Sequence, residues 1–369
     1  MKKVLVTAST WSHIVNFHLP YLKMFQQRGW IVHVGCRGIP ARAPYVDRFF
    51  ELPFEKGAAV TNNVCAVLLL RQMIRAEKYD LIITHTTLAA FFTRMAAKTQ
   101  RVRPQIINVV HGYLFDDETP KFKRCLLLWA ELLTAPETDL LLTMNEWDYQ
   151  TARQYRLGKR IKKIPGIGVD FDKLDVSAAE TGKRLRASLG IPDQAFVLVF
   201  AAEFSKRKSQ SVLIEAMRQL PETVWLVLCG DGVQIDACKK LAEKWFLQNR
   251  IVFPGNVADM GPWYRMADAC VTSSRSEGLP FNVMEAMHFG LPVIASAVKG
   301  HTDLIQDGDT GLLYPYGNAK ACADCVRLLM EKPKLREALG SHAAEATEKY
   351  MLQTVCGSIE ALYLSMPSD

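Results

Sequence analysis

Residues 269–295, ACVTSSRSEGLPFNVMEAMHFGLPVIA, have the sequence pattern of a strand, a helix and a second strand. The ends of this stretch, Ala269–Thr272 and Val293–Ala295, are short apolar runs that predict buried strands. The intervening Pro280–Phe289 has apolar residues one turn apart and is followed by Gly290, which predicts a helix. A strand, a helix and a second strand in this order indicate a parallel sheet covered by helices.

The same alternation runs through both halves of the chain. It predicts two doubly wound, Rossmann-like α/β domains that face each other across a cleft, at the carboxyl ends of their strands. The other predicted strands are Val4–Val6, Ile31–Val34, Leu81–Thr84, Ile106–Val110, Leu140–Thr143, Phe196–Phe200, Trp225–Leu228 and Ile251–Phe253, and the other predicted helices are Asn16–Arg28, Asn145–Arg156, Ser209–Leu220 and Val233–Phe246.

A change of character marks the expected domain boundary. Ile164–Asp170 is punctuated by proline and glycine, and the polar Asp172–Gly190 that follows is expected to be a linker. We therefore expect one domain over residues 1–168 and a second over residues 169–349. A final helix over about residues 350–369 is expected to pack back on the first domain.

Composition excludes several classes of protein. The chain has 369 residues, of which 49% are hydrophobic and 22% charged, so it is neither disordered nor fibrous. Its apolar runs are too short to predict a membrane-spanning helix or a secretory signal. Nine scattered cysteines fit a reducing compartment. These features lead us to expect a cytoplasmic protein.

The net charge of +7 is unevenly distributed. Residues 1–170 hold 24 Lys and Arg against 14 Asp and Glu, which predicts an anionic partner for the first half. No recognition motif for nucleic acid accompanies this charge. Lys121–Leu133 could place basic and apolar faces side by side, so we expect peripheral binding to the inner membrane surface. The alternative is an ordinary core helix with a solvated charged face.

The start of the helix after Pro280 is a candidate anion site. The first-turn amides of Phe281, Asn282 and Val283 lack partners within the helix, and the helix dipole is positive there. Glu277 before the helix and Glu285 in its second turn could accept hydrogen bonds from sugar hydroxyls. Taken alone, these two glutamates are equally well explained as a helix-terminal acid and a surface residue.

Glu277 and Glu285, with seven residues between them, followed by Gly290–Ala295 and Asp307–Leu313, resemble the donor-site signature of family 4 retaining glycosyltransferases, which have the GT-B fold. The similarity covers nearly the whole chain. Further segments resemble the members that assemble capsular and other exopolysaccharides: Phe17–Lys23, His85-Thr86, Val110–Tyr113, Asn145–Asp148 and Ile164–Asp170.

The resemblance implies that residues 1–168 bind the acceptor and residues 169–349 the nucleotide sugar, and it implies roles for individual residues. Glu285 should hold the ribose of the nucleotide, and Glu277 should contact hydroxyls of the transferred sugar. Lys208 matches the lysine that neutralises the diphosphate, and the amides at the start of the helix should contact the diphosphate or the sugar. The base should lie near Asn256. His111 matches a histidine that faces the donor sugar across the cleft.

One departure concerns the diphosphate. Many relatives carry a second cation, an arginine, where this chain has Glu203. Either Arg207 or Lys206 replaces it, or Lys208 acts with the helix amides alone. A second departure is the first loop, Ser9–Asn16, which lacks the paired glycines of many members. No donor contact is assigned to that loop.

Two Asp-x-Asp sequences, Asp170-Phe-Asp172 and Asp307-Gly-Asp309, do not lie where a diphosphate-bridging metal is expected. A lysine and a helix terminus can replace such an ion. We expect transfer that needs no metal and no cofactor, with the nucleotide sugar as substrate.

The resulting expectation is a retaining glycosyltransferase that moves a sugar from a UDP-sugar to a polyprenyl-diphosphate-linked glycan in capsular or exopolysaccharide assembly. Two alternatives remain open at this point. One is a UDP-sugar 2-epimerase on the same architecture, which needs no acceptor. The other is a non-enzymatic, basic protein that binds membrane surfaces.

Overall fold

A computed structural model describes residues 1–55, 60–175 and 180–365. The chain divides into two compact units. Unit 1 comprises Met1–Ile167 and Val355–Asp369, and unit 2 comprises Gly168–Thr354. Each unit has its own sheet and its own apolar core.

Unit 1 is built on seven parallel strands in the order β3-β2-β1-β4-β5-β6-β7. Its central strands are almost wholly apolar because helices cover both faces of the sheet. Leu5 on β1 pairs with Ile82 on β4, and both side chains are fully buried. The strands are β1 (Lys3–Thr10), β2 (Ile31–Arg37), β3 (Arg48–Glu51), β4 (Leu81–His85), β5 (Gln105–Val110), β6 (Leu140–Thr143) and β7 (Arg160–Lys163).

Unit 2 is built on six parallel strands in the order β10-β9-β8-β11-β12-β13. Strands β8, β11 and β12 are neighbours, so the loops that leave their carboxyl ends start at one edge of the sheet. The strands are β8 (Phe196–Ala201), β9 (Val224–Cys229), β10 (Ile251–Gly255), β11 (Ala269–Thr272), β12 (Val293–Ser296) and β13 (Gly311–Tyr314).

Apart from β2 and β3, which are joined by residues 38–47 without a helix, successive strands in both units are connected by helices. They are α1 (Trp11–Phe17), α2 (Leu19–Gln27), α3 (Val60–Glu77), α4 (Thr87–Ala97), α5 (Lys121–Thr134), α6 (Glu146–Tyr155), α7 (Glu180–Ser188), α8 (Gln210–Met217), α9 (Ile235–Lys244), α10 (Gly261–Met266), α11 (Phe281–His288), α12 (His301–Leu304), α13 (Ala319–Glu331), α14 (Pro333–Ala346) and α15 (Leu352–Leu364). Short 3₁₀ turns cover Ala135–Glu137, Phe171–Lys173 and Glu348–Tyr350.

All ten strands predicted from the sequence are present, and both sheets are parallel as expected. Three further strands, β3, β7 and β13, are absent from the predictions. Each lies at the edge of its sheet. Strands β3 and β7 are short and largely exposed, so they lack the continuous apolar run that marks a buried strand. Strand β13 is mostly buried, but its apolar run after Gly311 is only three residues long. Strand β7, with the sequence Arg-Ile-Lys-Lys, has a single apolar residue.

The helix predicted over Asn16–Arg28 is in fact two helices. It is interrupted at His18, between α1 and α2, and Pro20 lies in the first turn of α2. A proline has no backbone N–H to donate to the carbonyl four residues earlier, so one continuous helix cannot form through this position. The side chain of His18 is fully buried at the break.

The prediction of a linker over Asp172–Gly190 is wrong for about half of this segment. Residues 176–179 lie outside the described part of the chain, but Glu180–Ser188 forms helix α7 within unit 2. Arg186 fixes this helix by donating hydrogen bonds of 2.7 Å to the Met266 carbonyl and 2.8 Å to Asp268. Helix α7 has few apolar residues and is held by hydrogen bonds and ion pairs instead. Its polar composition therefore resembles that of a linker.

Helix α15 belongs to unit 1, although it follows unit 2 in the sequence. Its Tyr363 ring stacks on Phe25, and Glu360 forms an ion pair with Arg28. Within the described residues, no helix combines the length and the apolar character that crossing a membrane requires.

Candidate active site

The loop after β8 is shaped by two glycines that follow β9. A Cβ atom on Gly230 would lie 2.1 Å from the Ala202 carbonyl oxygen, and one on Gly232 would lie 2.5 Å from the Phe204 oxygen. Only glycine permits this approach of two backbones. The Phe204 amide donates to the Asp231 carbonyl at 2.8 Å. These contacts fix the loop that leads to Lys208.

Glu277, in the loop after β11, is held between two cations. Lys208 donates to one carboxylate oxygen at 2.6 Å, and Arg207 donates to the other at 2.8 Å. The side chains of Glu277 and Lys208 are only 7% and 11% exposed, whereas that of Arg207 is 49% exposed. The structure therefore brings together three of the residues singled out from the sequence.

Burial and the neighbouring charges shift the pKa values of Glu277 and Lys208. Burial alone would raise the pKa of Glu277, but the neighbouring charges of Lys208 and Arg207 outweigh burial and lower its pKa to about 2. Burial lowers the pKa of Lys208, and the attraction of Glu277 opposes that shift. Two cations for one carboxylate leave an excess of positive charge beside α11.

Helix α11 begins four residues after Glu277. Its N-cap is Pro280, and no side chain caps its first turn. The helix start therefore offers first-turn backbone amides, those of Asn282 and Val283 among them, together with the positive end of the helix dipole. Asn282 Nδ2 in this turn and Ser274 Oγ in the loop after β11 are buried polar atoms with no hydrogen-bond partner among the described residues. Buried polar atoms of this kind are typical of a site that binds a polar ligand.

Glu285, in the second turn of α11, accepts a hydrogen bond of 2.8 Å from the hydroxyl of Tyr264. The same hydroxyl lies 3.3 Å from the Asn282 carbonyl. Burial raises the pKa of Glu285, and the hydrogen bond from Tyr264 opposes the shift. Tyr264 thereby fixes the orientation of the carboxylate.

The loop after β12 packs directly against Glu277. The Glu277 amide donates to the Lys299 carbonyl, and a Cβ atom on Gly300 would lie 2.8 Å from Glu277 Cβ. Behind this contact His301 is fully buried and donates from Nδ1 to the Ser296 carbonyl at 2.8 Å. Burial lowers the pKa of His301 to about 4.

His111, the remaining catalytic candidate, belongs to unit 1, where it follows β5. It lies in a cluster with three other histidines. His85 Nδ1 and His111 Nε2 are 3.2 Å apart, the rings of His18 and His85 stack at 3.7 Å, and His13 meets His111 edge to face at 4.8 Å. Burial lowers the pKa of all four, that of His13 to about 4.

Other candidates lie apart from the ion-paired trio. Asn256 is exposed and follows β10, which is separated from β11 by two strands. The two Asp-x-Asp sequences have partners within unit 2. Asp170 forms an ion pair with Lys173, and Asp309 forms one with His342.

Sequence reasoning missed Tyr264, Gly300 and His301. It also missed the two glycines of Gly230-Asp-Gly232. These have a signal in the sequence, because two glycines directly after a buried strand indicate that another backbone segment approaches closely. The others reach the site from separate elements, and no spacing along the chain predicts that.

Comparison with known proteins identifies the family. The description "Glycosyl transferases group 1" matches residues 182–346, and "Glycosyltransferase Family 4" matches residues 21–173. The putative glycosyltransferase EpsD of Bacillus subtilis (strain 168) is 34% identical over 354 residues, which are 95% of this chain and 93% of EpsD. The chain is a family 4 glycosyltransferase.

A second relative of this glycosyltransferase is the Escherichia coli UDP-Gal:alpha-D-GlcNAc-diphosphoundecaprenol alpha-1,3-galactosyltransferase. It is 25% identical over 315 residues, covering 82% of this chain and 80% of the relative. Among solved structures, Anabaena HepE in complex with UDP-glucose has a TM-score of 0.82 at 21% identity over 99% of this chain and 100% of HepE. WaaG, described as a glycosyltransferase involved in lipopolysaccharide biosynthesis, has a TM-score of 0.78 at 16% identity over 98% of this chain and 100% of WaaG. These structures confirm the GT-B fold.

Gly300→Ala in this glycosyltransferase is expected to lower the unfolding midpoint more than Gly308→Ala. Both residues have positive φ, +83° and +77°, so both substitutions strain the backbone by about 1–2 kcal/mol. Only the Cβ at position 300 also collides with Glu277 and Gly278. Thermal unfolding of the two variants measures the difference, and equal midpoints would show that the loop does not support Glu277.

The Glu277 ion pairs also predict a dependence of stability on pH. The carboxylate has its pKa lowered from 4.5 to about 2, so its contribution of about 3 kcal/mol is present above pH 4.5 and lost as the pH falls toward 2. Between about pH 5 and about pH 2, the wild type should therefore lose more stability than Glu277→Gln. Urea unfolding at several pH values tests this, and parallel curves for the two proteins would contradict it.

Proposed function

We propose that the chain transfers a hexosyl group from a UDP-sugar to a polyprenyl-diphosphate-linked glycan, with retention of anomeric configuration. The observation that carries the proposal is the buried Glu277 between Lys208 and Arg207, immediately before the uncapped start of α11. Fixed cations and amides of this kind stabilise the negative charge that develops when a sugar–diphosphate bond breaks.

The diphosphate would bind to Lys208, Arg207 and the amides of α11. Arg207 is the best candidate for the cation that many relatives carry at the position of Glu203, because it already lies in the Glu277 ion pair. Lys206 is exposed, and no ion pair involves its side chain among the described residues. With two cations and a helix terminus, the transfer would proceed without a diphosphate-bridging metal.

The sugar and the ribose would be held by the two glutamates. Glu285, oriented by Tyr264, would accept hydrogen bonds from the ribose hydroxyls, and Glu277 would accept them from the transferred sugar. Asn282 Nδ2 is buried without a partner among the described residues and would donate to the sugar or phosphate. Asn256 would lie near the base, and His111 would contact the donor sugar.

Retention would follow from attack of the acceptor hydroxyl on the face that the diphosphate leaves. The leaving phosphate oxygen accepts the proton of that hydroxyl, so no protein side chain is required as base. Catalysis then consists of positioning the two substrates and stabilising the leaving group. Loss of one fixed positive group of this kind costs on the order of 10²–10³ in rate.

The lipid-linked acceptor is supported by helix α5 of unit 1. This helix turns apolar side chains outward: Phe122 is 85%, Leu126 56% and Trp129 59% exposed. Lys121 and Lys123 flank them. A helix with exposed apolar residues beside basic ones is suited to an anionic membrane surface. We propose that α5 binds the inner face of the cell membrane.

Beside α5 lies an apolar cavity of about 180 Å³. Leu88, Phe91 and Phe92 of α4 line one side, and Leu127 of α5 lines the other. A cavity of this character would take part of a polyprenyl chain. The E. coli relative, which by its name acts on a diphosphoundecaprenol-linked sugar, supports this class of acceptor. The motif resemblance and the EpsD match support a place in capsular or exopolysaccharide assembly.

The donor assignment predicts selective stabilisation by uridine nucleotides. UDP and UDP-sugars should raise the unfolding temperature of the wild type, and GDP and ADP should not; saturation at 100 times Kd corresponds to about 2.7 kcal/mol. HepE, crystallised with UDP and with UDP-glucose, supports the choice of base. Lys208→Ala and Arg207→Ala should lose most of the shift, whereas Lys206→Ala should keep it. Equal shifts with all three diphosphates would contradict the assignment.

Turnover with a radiolabelled UDP-sugar and a lipid-linked acceptor distinguishes transfer from epimerisation. A transferase forms labelled glycolipid only when acceptor is present, and an epimerase converts the free UDP-sugar without it. Lys208→Ala should reduce transfer on the order of 10²–10³-fold, and Mg²⁺ or Mn²⁺ should leave the rate unchanged. Full activity in both Lys208→Ala and Glu277→Gln would refute the site.

Membrane binding is expected to depend on α5. Replacing Phe122 and Trp129 together by serine should weaken cosedimentation with phosphatidylglycerol vesicles by about tenfold or more, because each buried aromatic contributes about 1.5–3 kcal/mol. Phe246→Ser is a matched control, since Phe246 of unit 2 is also 85% exposed. Equal losses in the control, or unchanged binding in the double variant, would exclude α5 as the membrane-binding surface.

A further inference from the structure

Four histidines of unit 1 form a cluster, and only His111 among them has a role in the proposed glycosyl transfer. They come from different parts of the sequence: His13 lies in α1, His18 lies at the break between α1 and α2, His85 ends β4, and His111 follows β5. Strands β1, β4 and β5 are neighbours in the parallel sheet. Their carboxyl ends therefore bring the four imidazoles to one edge, where open α/β sheets bind ligands.

Three of these side chains have the arrangement of metal ligands. One ring nitrogen each from His13, His18 and His111 can be chosen so that all three atoms lie within 4.8 Å of one another. Tetrahedral zinc with bonds of about 2.05 Å spaces its ligand nitrogens about 3.3 Å apart. Binding would thus require side-chain movements of about an ångström, which rotations of the rings can supply.

His18 provides a second, independent observation. Its side chain is 1% exposed, yet neither ring nitrogen has a hydrogen-bond partner among the described residues. His13 Nε2 is likewise buried without a partner in the part of the chain that is described. Unpaired buried nitrogens cost free energy unless a ligand satisfies them.

We propose that His13, His18 and His111 bind one Zn²⁺ ion in unit 1. Imidazole nitrogen is a preferred ligand of zinc, and three histidines with an open fourth position form a known type of zinc coordination. His85 would act as a positioning residue, because it stacks on His18 and hydrogen-bonds to His111.

The ion would carry its full double positive charge, since three neutral imidazoles contribute none. Its fourth position would take water or an anionic oxygen. This is not the diphosphate-bridging metal that the Asp-x-Asp sequences would have supplied, because its ligands are histidines of unit 1. An imidazole bound through one nitrogen keeps a hydrogen on the other, so His111 would donate one hydrogen bond, either to His85 or to a bound sugar.

The test is metal binding itself and does not depend on transferase activity. The full chain is stripped of metal and titrated with Zn²⁺, and with Co²⁺ as a spectroscopic probe. Cys65 and Cys125 are exposed thiols that could also bind these ions, so both are first replaced by serine. We expect one ion per chain, and a tetrahedral Co²⁺ spectrum without a thiolate charge-transfer band.

His18→Gln and His13→Gln should each weaken Zn²⁺ binding more than about tenfold, because loss of a direct ligand exceeds the usual effect of an outer-shell change. His342→Gln, an exposed histidine of unit 2, should bind Zn²⁺ as the parent does. Circular dichroism verifies that each variant is folded. If the variant of the buried His18 does not fold, zinc binding by His13→Gln alone tests the proposal. No saturable binding in the parent, or parent-like binding in the folded His variants, would overturn the proposal.

Discussion

The buried carboxylate of Glu277 imposes the strictest physical constraint on unit 2. An ionised carboxylate can be removed from water only if charges and hydrogen bonds replace its hydration. Here Lys208 and Arg207 provide them, at 2.6 and 2.8 Å. That arrangement requires the loops after β8 and β11 to meet, which the neighbouring positions of these two strands make possible. The glycines at positions 230 and 300 then allow the close backbone and side-chain contacts that hold both loops in place.

The sequence predicted the local part of this site and missed the part that depends on tertiary structure. The spacing of Glu277 and Glu285 around Pro280 lies within one loop and one helix, so it is visible in the chain itself. Tyr264, whose hydroxyl orients Glu285, comes from a separate helix, α10. The same limit applies to the fold. Buried strands are predicted from their apolar runs, but β3 and β7 lie at sheet edges, where exposed polar residues interrupt that pattern.

Unit 1 shows the same principle in a more extreme form. Its four clustered histidines span residues 13 to 111, and no metal-binding motif has that spacing. They meet because parallel strands place their carboxyl ends side by side. The break before Pro20 also matters, because it places His18 at a junction between helices, where its ring stacks on His85. The sequence predicted one continuous helix over Asn16–Arg28, and that prediction gives His18 no special position.

Helix α5 reverses the usual distribution of polar and apolar residues. Its inner side is anchored by a buried ion pair of 2.9 Å between Glu131 and Arg94, while Phe122 and Trp129 face outward. A helix that only covered the core would bury those aromatics, because each is worth about 1.5–3 kcal/mol when removed from water. The buried ion pair, together with Leu127 and Leu128 packed on the core of unit 1, holds the helix without them. The outer face is thus left available to an apolar partner, and the basic residues beside it favour one with an anionic surface.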